Sequence, residues 1–241
     1  MRGIHVILLL FTFTALRAQT EFTPQVGVVV ATGGSVSVMS QPSPDSEKAG
    51  AVGNGDFVYC LAPEDSWYEV TFLSNNQPRP GYIPRSCIQF FSRFPLLKMI
   101  DQGPQSTTFA LDSVTVTLSR KEFIPAEHRL EFISAVQRLH VAGYLDKIDG
   151  KTFWGTNGEI PSTLYDRIEV TGSGLSLSLP AEATTELYEP NLGPENNWIW
   201  YDKATRTLYI CSSNGSGEWG YIVLWVVRQG KYSSRFVVPG F

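Results

Sequence analysis

The residues best suited to covalent or metal chemistry are few: Cys60, Cys87 and Cys211, with His5, His128 and His140. A cysteine attacks as its thiolate and needs a histidine or another cation nearby to lower the thiol pKa. Here the contexts are Tyr59-Cys60, Ser86-Cys87 and Ile210-Cys211, while His128 and His140 both fall in one segment remote in sequence from all three. The two histidines lie too far apart for the helical or loop spacing of a zinc pair. The acidic turn at Asn157-Gly158-Glu159 lacks the alternating carboxylates of a calcium loop. Asp146, Asp149, Glu159, Glu169, Glu189 and Asp202 are available for paired-acid chemistry, and nothing in their spacing singles out two of them. Gly172-Ser173-Gly174 and Gly215-Ser216-Gly217 lack the five-residue nucleophile elbow. No catalytic residue, metal ligand or cofactor is expected.

What stands out instead is aromatic density toward the C-terminus: Trp198, Trp200, Tyr201, Tyr209, Trp219, Tyr221 and Trp225. Rings exposed on a sheet stack against sugar faces, whereas the same rings in a sandwich core only fill space. Trp198 and Trp200 share one strand face and Ile199 and Tyr201 the other, so both faces are apolar and at least one must be covered. The candidate ligand-binding residues are Tyr68, Tyr82, Trp198, Trp200, Trp219 and Tyr221.

The elements that must position these residues are short strands. Hydrophobic residues make up 43% of the 241 and charged ones 17%, enough to fold, and 21 Gly with 15 Pro imply many turns. Val36 and Val38 alternate with Ser35 and Ser37, and Pro42 and Pro44 then break the strand. Gly53-Asn54-Gly55-Asp56 is a turn, residues 57–61 a strand, residues 67–72 another, and residues 74–80 a polar loop before Gly81-Tyr82-Ile83. Residues 107–118 return to period two with Val114, Val116 and Leu118 on one face. Over 125–142, Pro125 in a first turn, Glu127, Leu130, Ile133 and Val136 fit a helix stopped by Gly143, while Leu130-Glu131-Phe132 fits a strand; both stay open. Asp149-Gly150 and Asn157-Gly158 are turns, and Ile168 to Val170, Leu175 to Leu179, Trp198 to Tyr201, Thr207 to Cys211, Tyr221 to Val227 and Arg235 to Val238 read as strands.

At the N-terminus, Arg2 and His5 precede an apolar run from Val6 to Leu16, and Leu16-Arg17-Ala18 supplies a small residue before Gln19. This reads as a signal peptide over 1–18, cleaved near Ala18 and too short for a stable membrane anchor. Export permits disulfides, and Cys60 and Cys87 fall close enough in the chain to pair on adjacent strands; three scattered cysteines fit buried free thiols better. The net charge of -4 gives no field for nucleic acid.

The order A-x-x-x-x-V-x-V-M from Ala31, P-S-P-D-S from Pro42, A-V-x-N-G-D-F-V-Y from Ala51, S-W-Y-E-V from Ser66 and G-Y-I-P-x-x-C-I from Gly81 resembles the bacterial SH3 (SH3b) family of exported cell-envelope proteins. The resemblance implies a small, curved, five-stranded barrel with Trp67 and Tyr82 in its core and Tyr68 pointing the other way. Met39 stands where the family line usually carries Arg. Such modules are often joined to cysteine peptidases, which place Asp-Cys at the start of a helix; no cysteine here follows Asp.

The expected architecture is all-β: a signal peptide (1–18), an SH3-like barrel (26–91), a linker (92–106), and a larger antiparallel β-sandwich or barrel (107–241) with room for one helix. The expected function is an exported, non-enzymatic protein, secreted or periplasmic, that binds wall peptide, glycan or an exported protein. An envelope hydrolase with its site in the C-terminal part, and a protein-interaction or inhibitor module, are the alternatives. Neither nucleic acid nor a transmembrane segment after cleavage is expected.

Overall fold

The computed structural model describes residues 25–133, 143–172, 174–215 and 219–240. The first strands are β1 (Gln25–Val29), β2 (Ser35–Met39), β3 (Lys48–Gly53), β4 (Phe57–Glu64), β5 (Trp67–Ser74), β6 (Gln77–Pro84) and β7 (Ile88–Phe90). They form a seven-stranded sheet in the order β3-β2-β6-β5-β4-β1-β7. Val52 near one edge and Ile88 and Phe90 at the other pack into one core with Val29, Val38, Val58, Cys60, Tyr68, Val70, Phe72 and Ile83. A sheet whose two edges share a core must curl around it.

Residues 74–80, expected as a polar loop, are instead the tip of the β5–β6 hairpin. Asn75 and Asn76 both take positive φ, 53° and 60°, as a two-residue hairpin turn requires, and Asn tolerates that region. The prolines of β6 survive because β6 pairs with β5 along its length but with β2 only at Met39 and Tyr82, so few of its donors are needed on that side.

The chain continues through β8 (Lys98–Gln102), β9 (Ser106–Leu111) and β10 (Val114–Glu122), then β11 (Leu130–Ile133), β12 (Tyr144–Ile148), β13 (Thr163–Gly172) and β14 (Leu175–Ser178). It ends with β15 (Asn197–Asp202), β16 (Thr207–Asn214), β17 (Tyr221–Arg228) and β18 (Lys231–Pro239). One sheet has the order β14-β13-β10-β9-β8, a second β15-β16-β17-β18, and β11 pairs only with β12.

Part of the expected linker is structural. Leu97 N donates to Ile199 O (2.8 Å) and Tyr201 N to Pro95 O (3.0 Å), so residues 95–97 run along β15 before β8 joins the opposite sheet. The strand expected over 107–118 is two strands, because Asp112 at φ 52° turns the chain tightly between Leu111 and Val114. The helix option over 125–142 is corrected where described. Pro125–Glu127 is one 3-10 turn and Leu130–Ile133 is β11; residues 134–142 lie outside the described residues.

The four-stranded sheet buries both faces. Ile199, Tyr201, Leu208, Ile210, Tyr221, Val223, Trp225 and Val227 meet Phe109, Val116, Leu118, Ile168 and Val170 of the five-stranded sheet. On the reverse face Cys211, Ile222, Leu224, Val226, Phe236 and Val238 meet Val26 and Tyr59 of the N-terminal sheet and Phe91 of the 3-10 turn that follows β7. The fold is thus all-β in three layers, with a β-sandwich formed by the second and third. Among the described residues no helix is long and apolar enough to cross a membrane.

Leu224 is fully buried in the seam between the N-terminal sheet and the four-stranded sheet. Leu224→Ala should cost about 2–5 kcal/mol. Scanning calorimetry should show one transition moving down as a whole; an N-terminal transition that stays in place would contradict a shared core.

Candidate functional site

Cys60 and Cys87 belong to the N-terminal core and Cys211 to the seam, whereas His128, the one histidine among the described residues, packs in a separate cluster. All three thiols are free, so Cys60 and Cys87 do not pair. Cys60 lies in the N-terminal core, where burial pushes its thiol pKa far up, and Cys211 lies in the seam, where burial pushes it to about 12. Both are protonated and inert at neutral pH. Cys87 is half-buried and lines a shallow hollow with Thr32, Gly33 and Asn54.

His128 sits elsewhere, stacked on Phe123 with ring centroids 4.5 Å apart, in a cluster with Leu145, Ile148 and Tyr188. Its Nδ1 lies 2.7 Å from Asp149 Oδ2, and Arg129 N donates to Asp149 Oδ1 (2.8 Å). The His128 hydrogen bond foremost, and the Arg129 N–H after it, hold the Asp149 carboxyl below its ordinary pKa. The pair clasps the start of β11 to the turn after β12, since Asp149 N also donates to Arg129 O (2.8 Å). His140 lies outside the described residues. Among the described residues no group of three or more His, Cys, Asp or Glu is placed to hold a metal ion.

The aromatic candidates divide sharply. Tyr221 is fully buried, its hydroxyl donating to Tyr188 O (3.0 Å), and burial pushes its pKa well up. Its ring cannot stack on a ligand, which corrects its place among the candidates. Trp198 and Trp200 are half-buried against the seam, with Trp200 5.6 Å from Phe91, so both faces of their strand are covered. Tyr68 is also corrected: it belongs to the N-terminal core, edge-on to Phe90 at 5.4 Å, with the Arg85 guanidinium 4.8 Å over its ring. Trp67, expected inside, lies on the opposite face and is half-buried. Tyr82 is half-buried, and partial burial followed by the nearby Glu69 and Glu64 raises its pKa.

Trp219 alone among the six is exposed, at 38%, and it lines a cavity of about 410 Å³ with Arg120, Asn157, Glu159, Ile160, Glu189 and Asn191. The wall is built from backbone-directed hydrogen bonds. From β10, Arg120 sends Nε and Nη2 to Pro104 O (3.3 and 3.1 Å) and Nη1 to Pro190 O (3.4 Å). Glu189, at φ 52°, accepts from Ser162 N and from Thr163 Oγ1 (3.1 Å). Asn191 N donates to Asn214 Oδ1 (2.9 Å), and Asn191 Nδ2 to Ser213 O (3.2 Å) and Gly215 O (3.3 Å). Gly155 has φ 116°, and a Cβ there would stand 2.4 Å from Tyr188 O, so only glycine closes this turn.

The fold brings together Trp219, Glu159 and Glu189 from the expected residues; Asp146, Asp149, Glu169 and Asp202 do not line the cavity. Arg120 and Asn191 were not anticipated. Alternation puts Arg120 on the face of Val114, Val116 and Leu118, just past the end of their apolar run; a register shift in the pairing with β13 falls between Ser119 and Arg120, and the approach of the Pro104 and Pro190 loops makes Arg120 a wall. Compared with family models, with characterised proteins and with solved structures, the chain matches none.

A thiol reagent at neutral pH should label Cys87 alone in the folded protein and all three thiols after unfolding; mass spectrometry showing early labelling of Cys60 or Cys211 would refute their burial. Asp149→Asn should destabilise the protein by less than about 1 kcal/mol, because the carboxylate is about half exposed. A depressed carboxylate pKa stabilises above its unfolded value and is lost as pH falls through the folded one. The difference between the two proteins in urea titrations should therefore be full near neutrality and vanish under strong acid.

Proposed function

We propose that the chain is an exported, non-enzymatic protein of the bacterial envelope, secreted or periplasmic, that binds wall peptide, glycan or an exported partner in the Trp219 cavity. The curled N-terminal sheet is read as an SH3b-type barrel that anchors to the sandwich and sets the address. Trp219 is the observation that carries the reading: of all the candidate rings it alone combines exposure with a cavity holding a guanidinium, two carboxylates and two amides. The net charge of -4 speaks against nucleic acid.

A hydrolase is the second reading, because Glu159 and Glu189 line one cavity as a pair of catalytic acids would. Against it, both oxygens of Glu189 are engaged in holding Ser162 and Thr163. A base occupied in this way serves the loop, not a substrate.

The mature protein should sediment with purified wall sacculi and release neither reducing ends nor free amines. Trp219→Ala should weaken sedimentation by about fivefold or more, the loss expected of an anchoring aromatic residue. Absence of sedimentation, or sedimentation indifferent to Trp219→Ala, would overturn the cavity as the binding site, and product release would establish the hydrolase.

A further inference from the structure

Resting on the cavity as the binding site, we propose that it selects a small zwitterion: a ligand bearing a carboxylate and an ammonium, as the ends of a free amino acid or short peptide do. The carboxylate half follows from Arg120. Three of its five N–H donors are taken by the carbonyls of Pro104 and Pro190, which leaves two. Arg120 makes no ion pair among the described residues: its direct hydrogen-bond partners are neutral carbonyls, and its charge is not neutralised by contact with a carboxylate. A guanidinium locked in this way has little conformational freedom left to lose and presents its remaining donors to a carboxylate in fixed directions.

The ammonium half follows from the remaining lining. A simple anion would feel Arg120 but also the carboxylates of Glu159 and Glu189, and a neutral sugar would use neither charge. Glu159 is exposed and makes no ion pair among the described residues, so it can take a cation. Trp219 shares that rim, and an ammonium is attracted to an indole face. Ile160, 45% exposed on the same cavity, offers apolar contact to a short aliphatic side chain. Opposite charges on one ligand are the arrangement that satisfies Arg120 and Glu159 together.

The indole N–H signal of Trp219, assigned with Trp219→Phe, is followed by NMR in the mature protein. It is titrated with alanyl-alanine, its C-terminal amide, its N-acetyl form and N-acetylglucosamine. The dipeptide should shift the signal, and blocking either end should weaken binding by about fivefold, the scale of one partly exposed charge pair. Glu159→Gln should weaken the free dipeptide by a similar factor and leave the N-acetyl form unchanged; Arg120→Gln should weaken the dipeptide and leave the amide unchanged. Because Arg120 also ties two loops, Glu159→Gln keeps the test decisive if Arg120→Gln fails to fold. Equal binding of free and blocked dipeptides, or indifference to Glu159→Gln, overturns the zwitterion. A response to N-acetylglucosamine alone overturns it while retaining the cavity as the binding site. Silence toward all four probes overturns it, and sedimentation with sacculi then decides separately whether the cavity binds anything.

Discussion

The structure depends on burying β17 on both faces. Tyr221 to Val227 is an unbroken apolar run, and every residue in it is buried. In a sheet, successive side chains point to opposite sides, so such a run cannot be satisfied by one partner layer. Tyr221, Val223, Trp225 and Val227 require a sheet on one side, and Ile222, Leu224 and Val226 require something on the other. The five-stranded sheet meets the first need and the N-terminal sheet the second. The two halves of the chain are therefore joined by a core, with Phe91 stacked on Tyr209 at 4.3 Å, and not merely by a tether.

Closing three layers around β17 leaves the sandwich end as the place where backbone groups must be satisfied by loops. Asn214 shows how this is done and what it costs. Its Oδ1 accepts from Tyr165 Oη (3.1 Å) and Asn191 N (2.9 Å), so the amide orientation is set by two donors. Its Nδ2 is then buried with no partner, a penalty on the order of 1–3 kcal/mol. The compensation is positional: Asn214 fixes the Asn191 loop, whose neighbour Pro190 holds Arg120 and whose neighbour Glu189 holds Ser162 and Thr163. A single underpaid amide organises most of one cavity wall.

Much of this was legible in the residues, and the failures have physical causes. The apolar run of β17 and the double-sided pattern of Trp198-Ile199-Trp200-Tyr201 both announced buried sheet, and each is covered on both faces. Trp67 lies outside and Tyr68 inside, the reverse of what the resemblance implies, and the parity of the strand gives the reason. Glu69 shares the Trp67 face, whereas Val70 and Phe72 share that of Tyr68, and pairing of Tyr68 with Ile83 puts this second set inside. β8 was missed because it lies at a sheet edge with all its residues exposed; it carries no buried face to leave a pattern. The cavity was scarcely legible. Its residues come from β10 and from loops around Gly155, Glu189 and Trp219, and convergence of that kind depends on sheet packing, which no local spacing encodes.

The same packing separates the kinds of chemistry available to the molecule. Thiols sit where the layers are tightest, Cys60 inside the curled sheet and Cys211 in the seam, and desolvation there keeps them neutral. Ion pairs sit nearer solvent, from Lys203 with Asp112 at two turns to Arg167 with Glu169 along β13, and the one imidazole described clasps the start of β11 to the turn after β12. Cys87, half-buried at the edge of a surface hollow, is the exception among the thiols. Burial thus removes two of the three thiols from solvent, whereas Arg120, Glu159 and Glu189, drawn from β10 and two separate loops, are brought onto one cavity by the packing of the sheets.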